Sequence, residues 1–199
     1  MESAAIIVAG GAARRLGGVA KPWLEVAGHP VIEHVIAAAS KHCPTVVRVG
    51  QPPVQWTPPE GLLVTVETPP GGGPAAAVRA GMQLLPSTAE DVVLLAGDAP
   101  FVAPSLQALM AQPIRNDGFA VVTDGAIQYL CARLRRDVLA RALDTGGSSM
   151  HSVFDHLQID TIEAEVRDAD TWEDVAMLRK AGGSVSDNAW LDEATAMLD

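Results

Sequence analysis

Residues 4–8, Ala-Ala-Ile-Ile-Val, form an unbroken apolar run that gives way at once to a glycine-rich loop, Ala9-Gly10-Gly11-Ala12-Ala13-Arg14-Arg15-Leu16-Gly17-Gly18, with Lys21 and Pro22 just past it. A continuous apolar run of this length suits a strand buried on both faces of a sheet. Paired glycines let the chain turn sharply and bring bare backbone N–H groups close to a ligand. Arg14, Arg15 and Lys21 add positive charge at the same place. Backbone donors and mobile cations beside a strand end are what a triphosphate needs. The alternative reading is a sheet-edge turn followed by a solvated basic patch.

The rest of the chain narrows the partner. At 199 residues it is one ordinary domain, long enough to bury a real core. Hydrophobic residues make up 48% and aromatic residues only 4%, so the core is aliphatic, which fits a parallel α/β sheet better than a β-sandwich. The net charge of -10, with no lysine or arginine tract, repels nucleic acid and points to a small-molecule partner. An anionic nucleotide would then be held by local cations. Cys43 and Cys131 form no CxxC and suit a reducing cytosol. The N-terminal apolar run is too short to span a membrane, and its basic residues follow it rather than precede it, the wrong order for a signal peptide. The expectation is a cytoplasmic protein with no membrane partner, a monomer or small homo-oligomer.

Taken in order, apolar periodicity predicts strands over 4–8, 45–49, 62–67, 92–96 and 161–166. It predicts helices over 31–41, 75–85, 104–111 and 135–143, and a further helix capped by Gly146-Gly147-Ser148-Ser149 that runs through His156. Residues 119–123 and 128–133 read as strands around Asp124-Gly125, a hairpin signal. The strand over 92–96 is nearly all apolar, hence central, and runs straight into Gly97-Asp98-Ala99-Pro100. In open α/β sheets ligands bind beyond the carboxyl ends of the strands, where a carboxylate is well placed to hold a metal. The proline-rich loop over 51–59 reads as a surface connector. Histidines 29 and 34, and 151 and 156, are five apart and read as surface residues. A helix is predicted from about 170 to 181, then a polar linker and a short helical tail over 182–199. This makes residues 1–181 the folded domain.

Two known loops fail. A Walker A loop needs Gly-Lys-Ser/Thr, but no glycine precedes Lys21 and proline follows it. Gly146-Gly147-Ser148-Ser149-Met150 lacks the last glycine of a nucleophile elbow. The opening stretch does resemble the first motif of nucleotidyltransferases related to molybdenum cofactor guanylyltransferase, roughly Leu-Ala-Gly-Gly-x-x-x-Arg-Met-Gly-x-x-x-Lys. Val8-Ala9-Gly10-Gly11, Arg15-Leu16-Gly17 and Lys21 fall on it in register, and Leu24, Gly28 and Pro30 continue it. Gly73-Pro74-Ala75-Ala76-Ala77 resembles the family's Gly-Pro-Leu-Ala-Gly loop. Asp98-Ala99-Pro100 matches its magnesium Asp-x-Pro, and Asp168-Ala169-Asp170-Thr171 stands where it has Asn-x-Asn-Thr. The likeness covers residues 4–181.

The resemblance implies an α/β fold: a doubly wound, mainly parallel sheet with helices on both faces, Rossmann-like, with a small antiparallel hairpin. Alternating strands and helices argue the same independently. It also implies transfer of a nucleoside monophosphate from a triphosphate to a phosphate-bearing acceptor such as molybdopterin, with release of pyrophosphate. Val8, Ala9, Gly10 and Gly11 would cradle phosphates, and Arg15 and Lys21 would be catalytic. Gly73 and Pro74 would lie against base and ribose, while Asp98 and Asp170 would hold Mg²⁺. The family's guanine-reading asparagine is replaced by Gly50-Gln51, so Gln51 and Glu67 would read the base. Glu67 can accept two hydrogen bonds from guanine and one from cytosine's amino group, so GTP is expected first. Ser148-Ser149-Met150-His151 replaces a basic stretch of the family thought to meet the molybdopterin. The alternatives are cytidylyl transfer, transfer to another phosphate, or nucleotide binding without catalysis.

Overall fold

The first strand shows why the sheet forms where it does. In the computed structural model, which describes residues 2–10, 21–26 and 28–166, β1 (Glu2–Val8) holds Ala4, Ala5, Ile6 and Ile7 at 0% exposure. Its pleat sends Ala4, Ile6 and Val8 to one face and Ala5 and Ile7 to the other. An aliphatic run with no polar face must be covered twice, and it is. Helices α1 (Val31–Ser40) and α3 (Ala103–Ala111) bring Ile32, Val35, Leu106 and Leu109 into one buried cluster with Ala5 and Ile7. On the opposite face lie α2 (Pro74–Met82), α4 (Arg136–Thr145) and α5 (Met150–Phe154), whose Val78, Leu139 and Val153 join Ile6 and Val8 in one buried cluster. Each such aliphatic burial contributes about 1.5–3 kcal/mol.

The remaining strands are β4 (Thr45–Val49), β5 (Leu63–Thr65), β6 (Ala89–Ala96), β7 (Gly118–Thr123), β8 (Ala126–Arg135) and β9 (Ile159–Glu163). A two-residue ribbon of β2 (Glu25–Val26) and β3 (His29–Pro30) stands apart. The sheet order is β5-β4-β1-β6-β8-β7-β9, with β6 in the centre. β4, β5 and β6 run parallel to β1, and β7 pairs with β9 in parallel. Among the described residues, only β8 runs antiparallel to its neighbours, between β6 and β7. The expected doubly wound, mainly parallel fold is therefore the one observed.

The antiparallel hairpin is built into the main sheet. Asp124 and Gly125 both take positive φ (52° and 75°), as the primed turn of a tight hairpin requires. β8 is secured in the middle by a buried charge pair. Arg133 donates through Nε to Asp91 Oδ2 at 2.5 Å and through Nη1 to the carbonyls of Met110 and Gln112, closing the end of α3.

Expectations change in detail at β5 and at His34. β5 is shorter than the predicted 62–67, because its only partner, β4, ends at Val49 opposite Thr65. His34 is buried at 3% exposure rather than on the surface, since α1 turns it beneath the ribbon, where Nε2 donates to the Val26 carbonyl at 2.8 Å. The predicted helix over 170–181 and the tail over 182–199 lie outside the described residues. No helix among the described residues is long and apolar enough to cross a membrane.

Candidate active site

The carboxyl ends of β1, β4, β5 and β6 meet at one edge of the sheet, and the first glycine loop leaves from the middle of it. Ala9 N donates to the Val49 carbonyl at 2.8 Å, and Gly97 N donates to the Val8 carbonyl at 2.9 Å. The start of the loop is thus pinned between β4 and β6. Two close approaches keep it bare of side chains. Gly50 has φ of +134°, and a β-carbon there would lie 2.8 Å from both the Ala9 carbonyl carbon and the Gly10 nitrogen. A β-carbon at Gly97 would lie 2.9 Å from that of Ala9. What faces outward at Gly10 is backbone, the surface a phosphate needs.

On the β5 side stands Glu67, only 8% exposed. Its Oε1 accepts from Gly71 N at 3.1 Å, while Oε2 is buried without a hydrogen-bond partner. The carboxylate faces Gly10, with Oε1 3.5 Å from where a β-carbon of that glycine would be. A buried carboxylate oxygen left open is costly unless something donates to it. Gln51, directly after Gly50, is exposed. The loop after Glu67 leads to Gly73, which caps α2 with φ of 87°, and to Pro74 in the first turn, where its missing N–H costs nothing. A β-carbon at Gly73 would come within 3.5 Å of the Ser148 carbonyl, so the α4–α5 connection borders this corner.

On the β6 side, Lys21 Nζ lies 3.7 Å from Asp98 Oδ2, with side chains 16% and 26% exposed. Lys21 opens a 3-10 turn ending at Trp23, and Asp98 follows Gly97 at the end of β6. Among the described residues, no group of three or more His, Cys, Asp or Glu side chains converges as a protein cage for a metal. A single hard carboxylate at a strand end instead fits Mg²⁺, which keeps waters and substrate phosphates as ligands and takes one or two carboxylates from the protein.

The structure therefore gathers Val8, Ala9, Gly10, Lys21, Gln51, Glu67, Gly73, Pro74 and Asp98 along one edge. Gly11, Arg15, Asp168 and Asp170 lie outside the described residues.

Pattern reading missed what stands behind the site. Arg48 of β4 is 0% exposed and lies against both Trp23 and Trp56, its guanidinium carbon 5.1 Å and 5.3 Å from the ring centroids. Burial pushes its pKa down to about 10, so it stays charged at neutral pH. Trp56 also donates to Glu33 Oε1 at 3.3 Å, so the proline-rich loop is anchored onto the body and is more than a surface connector. A charged residue in an otherwise apolar strand, Val-Val-Arg-Val, was the available signal. Arg79 on α2 was missed as well. It donates to the carbonyls of Leu143, Gly146 and Gly147 and holds the α4–α5 connection against α2.

A glycine-lined cradle at the carboxyl edge of a doubly wound sheet, flanked by a lysine–aspartate pair and a buried open carboxylate, defines a class: α/β domains with a nucleotide site at the strand ends. Within that class, the chain belongs to the family of MobA-like NTP transferase domains, whose family model matches residues 5–168. It is 34% identical over 108 residues to a molybdenum cofactor guanylyltransferase of Bradyrhizobium sp. (strain ORS 278), covering 52% of this chain and 50% of that one. It is also 34% identical over 148 residues to the bifunctional protein GlmU of Stenotrophomonas maltophilia (strain R551-3), covering 66% of this chain and 30% of that one. The chain spans between 30% and 60% of the length of the curated relatives it matches. Among solved structures, the molybdopterin-guanine dinucleotide biosynthesis protein A of Archaeoglobus fulgidus shares the fold. Its TM-score is 0.66 at 20% identity, over 89% of this chain and 97% of that one.

Proposed function

We propose that this chain is a cytoplasmic nucleotidyltransferase that moves GMP from GTP onto a phosphate-bearing acceptor such as molybdopterin. A terminal phosphate oxygen of the acceptor attacks the α-phosphorus, the bond to the α–β bridging oxygen breaks, and pyrophosphate leaves. Little covalent chemistry falls to the protein, whose tasks are alignment and charge neutralisation. The observation that carries the reading is the Lys21–Asp98 pair, 3.7 Å across, its aspartate following the Gly97 that abuts Ala9. The relative named molybdenum cofactor guanylyltransferase supports the choice of nucleotide and acceptor.

In this reading the backbone after Val8, through Ala9, Gly10 and Gly11, hydrogen-bonds phosphate oxygens. Lys21, with Arg15, stabilises negative charge on the α-phosphoryl oxygens and the leaving pyrophosphate. Glu67 Oε2 takes the donors of the base edge, Gln51 adds a second polar contact, and Gly73 and Pro74 support the ribose. Asp98, joined by Asp170, would hold Mg²⁺, which when bound neutralises phosphate charge.

A second reading keeps the chemistry and changes the acceptor. Ser148-Ser149-Met150-His151 carries no lysine or arginine, and the Ser148 carbonyl borders Gly73. A different phosphate ester fits such a neutral border better than a strongly anionic acceptor. Incubation with Mg²⁺, GTP and either molybdopterin or a panel of phosphate esters, followed by assay of pyrophosphate, separates the two. Pyrophosphate with no acceptor in the panel would refute both.

A further inference from the structure

Arg48 occupies a position where an aliphatic residue would be the stable choice. Its Cα partner in β1 is Ile7, and its neighbours Val47 and Val49 are fully buried. Of its donors, Nη1 reaches the Gly50 carbonyl at 2.7 Å, while Nε and Nη2 are buried with no hydrogen-bond partner. Replacing a buried charge by a well-packed apolar residue is often neutral or stabilising. A buried cation with idle donors is therefore not explained by stability.

Its contacts explain it better. The single hydrogen bond ends on Gly50, whose α-carbon abuts the Ala9–Gly10 backbone that forms the candidate phosphate cradle. One flanking ring is Trp23, two residues past Lys21, and the other is Trp56, in the loop that begins at Gln51. The rings also meet each other edge to face, 5.0 Å between centroids. A planar guanidinium can stack on aromatic faces and donate in its plane at once, which an ammonium cannot do. One side chain thus ties together the exit of the glycine loop, the turn beside the cradle and the proline-rich loop.

We propose that Arg48 is a positioning residue for nucleotide binding: through Gly50, Trp23 and Trp56 it sets the Ala9–Gly10 cradle and Lys21 in the register that a triphosphate requires. Arg48 itself is fully buried and acts through the residues it touches. The binding part of this proposal rests on the nucleotide-site reading above.

The test compares Arg48→Met, Arg48→Lys and Trp56→Leu with the wild type in the full chain. Three quantities are read: melting temperature without nucleotide, GTP affinity by calorimetric titration, and amide hydrogen exchange at Ala9 and Gly50. The expected result for Arg48→Met is a melting temperature equal to or above wild type, faster exchange at both amides, and GTP affinity lowered by about tenfold or more. Arg48→Lys, which keeps the charge, recovers part of the affinity. Trp56→Leu, at the surface loop, gives a smaller loss of the same kind and serves if Arg48→Met does not fold. Wild-type affinity and exchange in Arg48→Met, or affinity lost only in proportion to melting temperature in all three variants, would overturn the proposal. A wild type that binds no nucleoside triphosphate refutes the nucleotide-site reading. The exchange rates of Ala9 and Gly50 then decide by themselves whether Arg48 holds the turn.

Discussion

Lys21 and Asp98 stand 3.7 Å apart, nitrogen to oxygen, one at the start of the 3-10 turn and one just past the end of the central strand. Both are partly exposed, so the pair contributes only about 0–1 kcal/mol to stability. In the proposed function its value is to hold a cation and a carboxylate where a triphosphate would lie. Lys21→Ala is expected to leave the melting temperature nearly unchanged and to slow turnover at saturating nucleotide by ~10²–10³, the usual loss for one transition-state donor. Steady-state kinetics beside a melting curve checks this. A loss seen only in KM would make Lys21 a binding residue.

Glu67 presents a buried oxygen, Oε2, with no partner, facing the first glycine of the loop. If that oxygen receives donors from a base, guanine satisfies it better than cytosine does. An unsatisfied buried group costs about 1–3 kcal/mol, so GTP is expected to outcompete CTP by roughly tenfold or more. Glu67→Gln should narrow that gap, because its amide can donate where the carboxylate only accepts. Competition titrations with both nucleotides measure it.

Gly50 has no room for a side chain. Gly50→Ala would force a β-carbon within 2.8 Å of the Ala9 and Gly10 backbone at a φ of +134°. The strain is on the order of 1–3 kcal/mol before any clash is counted. The expected outcome is a lower denaturation midpoint together with loss of nucleotide binding, the two falling together. An alanine variant with unaltered stability would mean that the turn relaxes freely.

The order of strands and helices was legible because aliphatic runs and helical spacing are local signals, and the strand over 45–49 was placed to the residue. Gly10 and Lys21 were legible in the glycine-rich loop after the first strand, and Asp98 in the rule that ligands bind beyond strand ends in open α/β sheets, whereas Glu67 entered only through the family resemblance. The supporting shell was not legible. Arg48 lies 25 residues from Trp23 and 8 from Trp56, and no periodicity links three side chains that only the β1–β4 pairing and the folded-back loop bring together. His34 misled for a related reason: its spacing from His29 says nothing about the Val26 carbonyl that lets a histidine be buried.

That histidine gives a pH test. Burial lowers the His34 pKa below 6.5, with the hydrogen bond to Val26 opposing. As pH falls below about 6.5 the unfolded chain takes up the proton while the folded one resists, so the folded state loses stability. His34→Gln keeps a donor for the carbonyl and removes the titration. His42, also held low by burial, contributes in the same direction, so the difference between wild type and variant isolates His34. Denaturation midpoints should converge on acidification if the variant starts lower at pH 8. Parallel pH profiles would show that His34 does not titrate differently on folding.

The most direct measurement follows the α-phosphate. The protein is incubated with Mg²⁺, GTP labelled at the α-phosphorus, and molybdopterin, with a second reaction lacking Mg²⁺. The expected result is label transferred to the acceptor with pyrophosphate released in equal amount, only when the metal is present, and abolished in Asp98→Ala. Label that stays in free nucleotide across the acceptor panel, or release of inorganic phosphate from the γ-position instead, would contradict nucleotidyl transfer at this site.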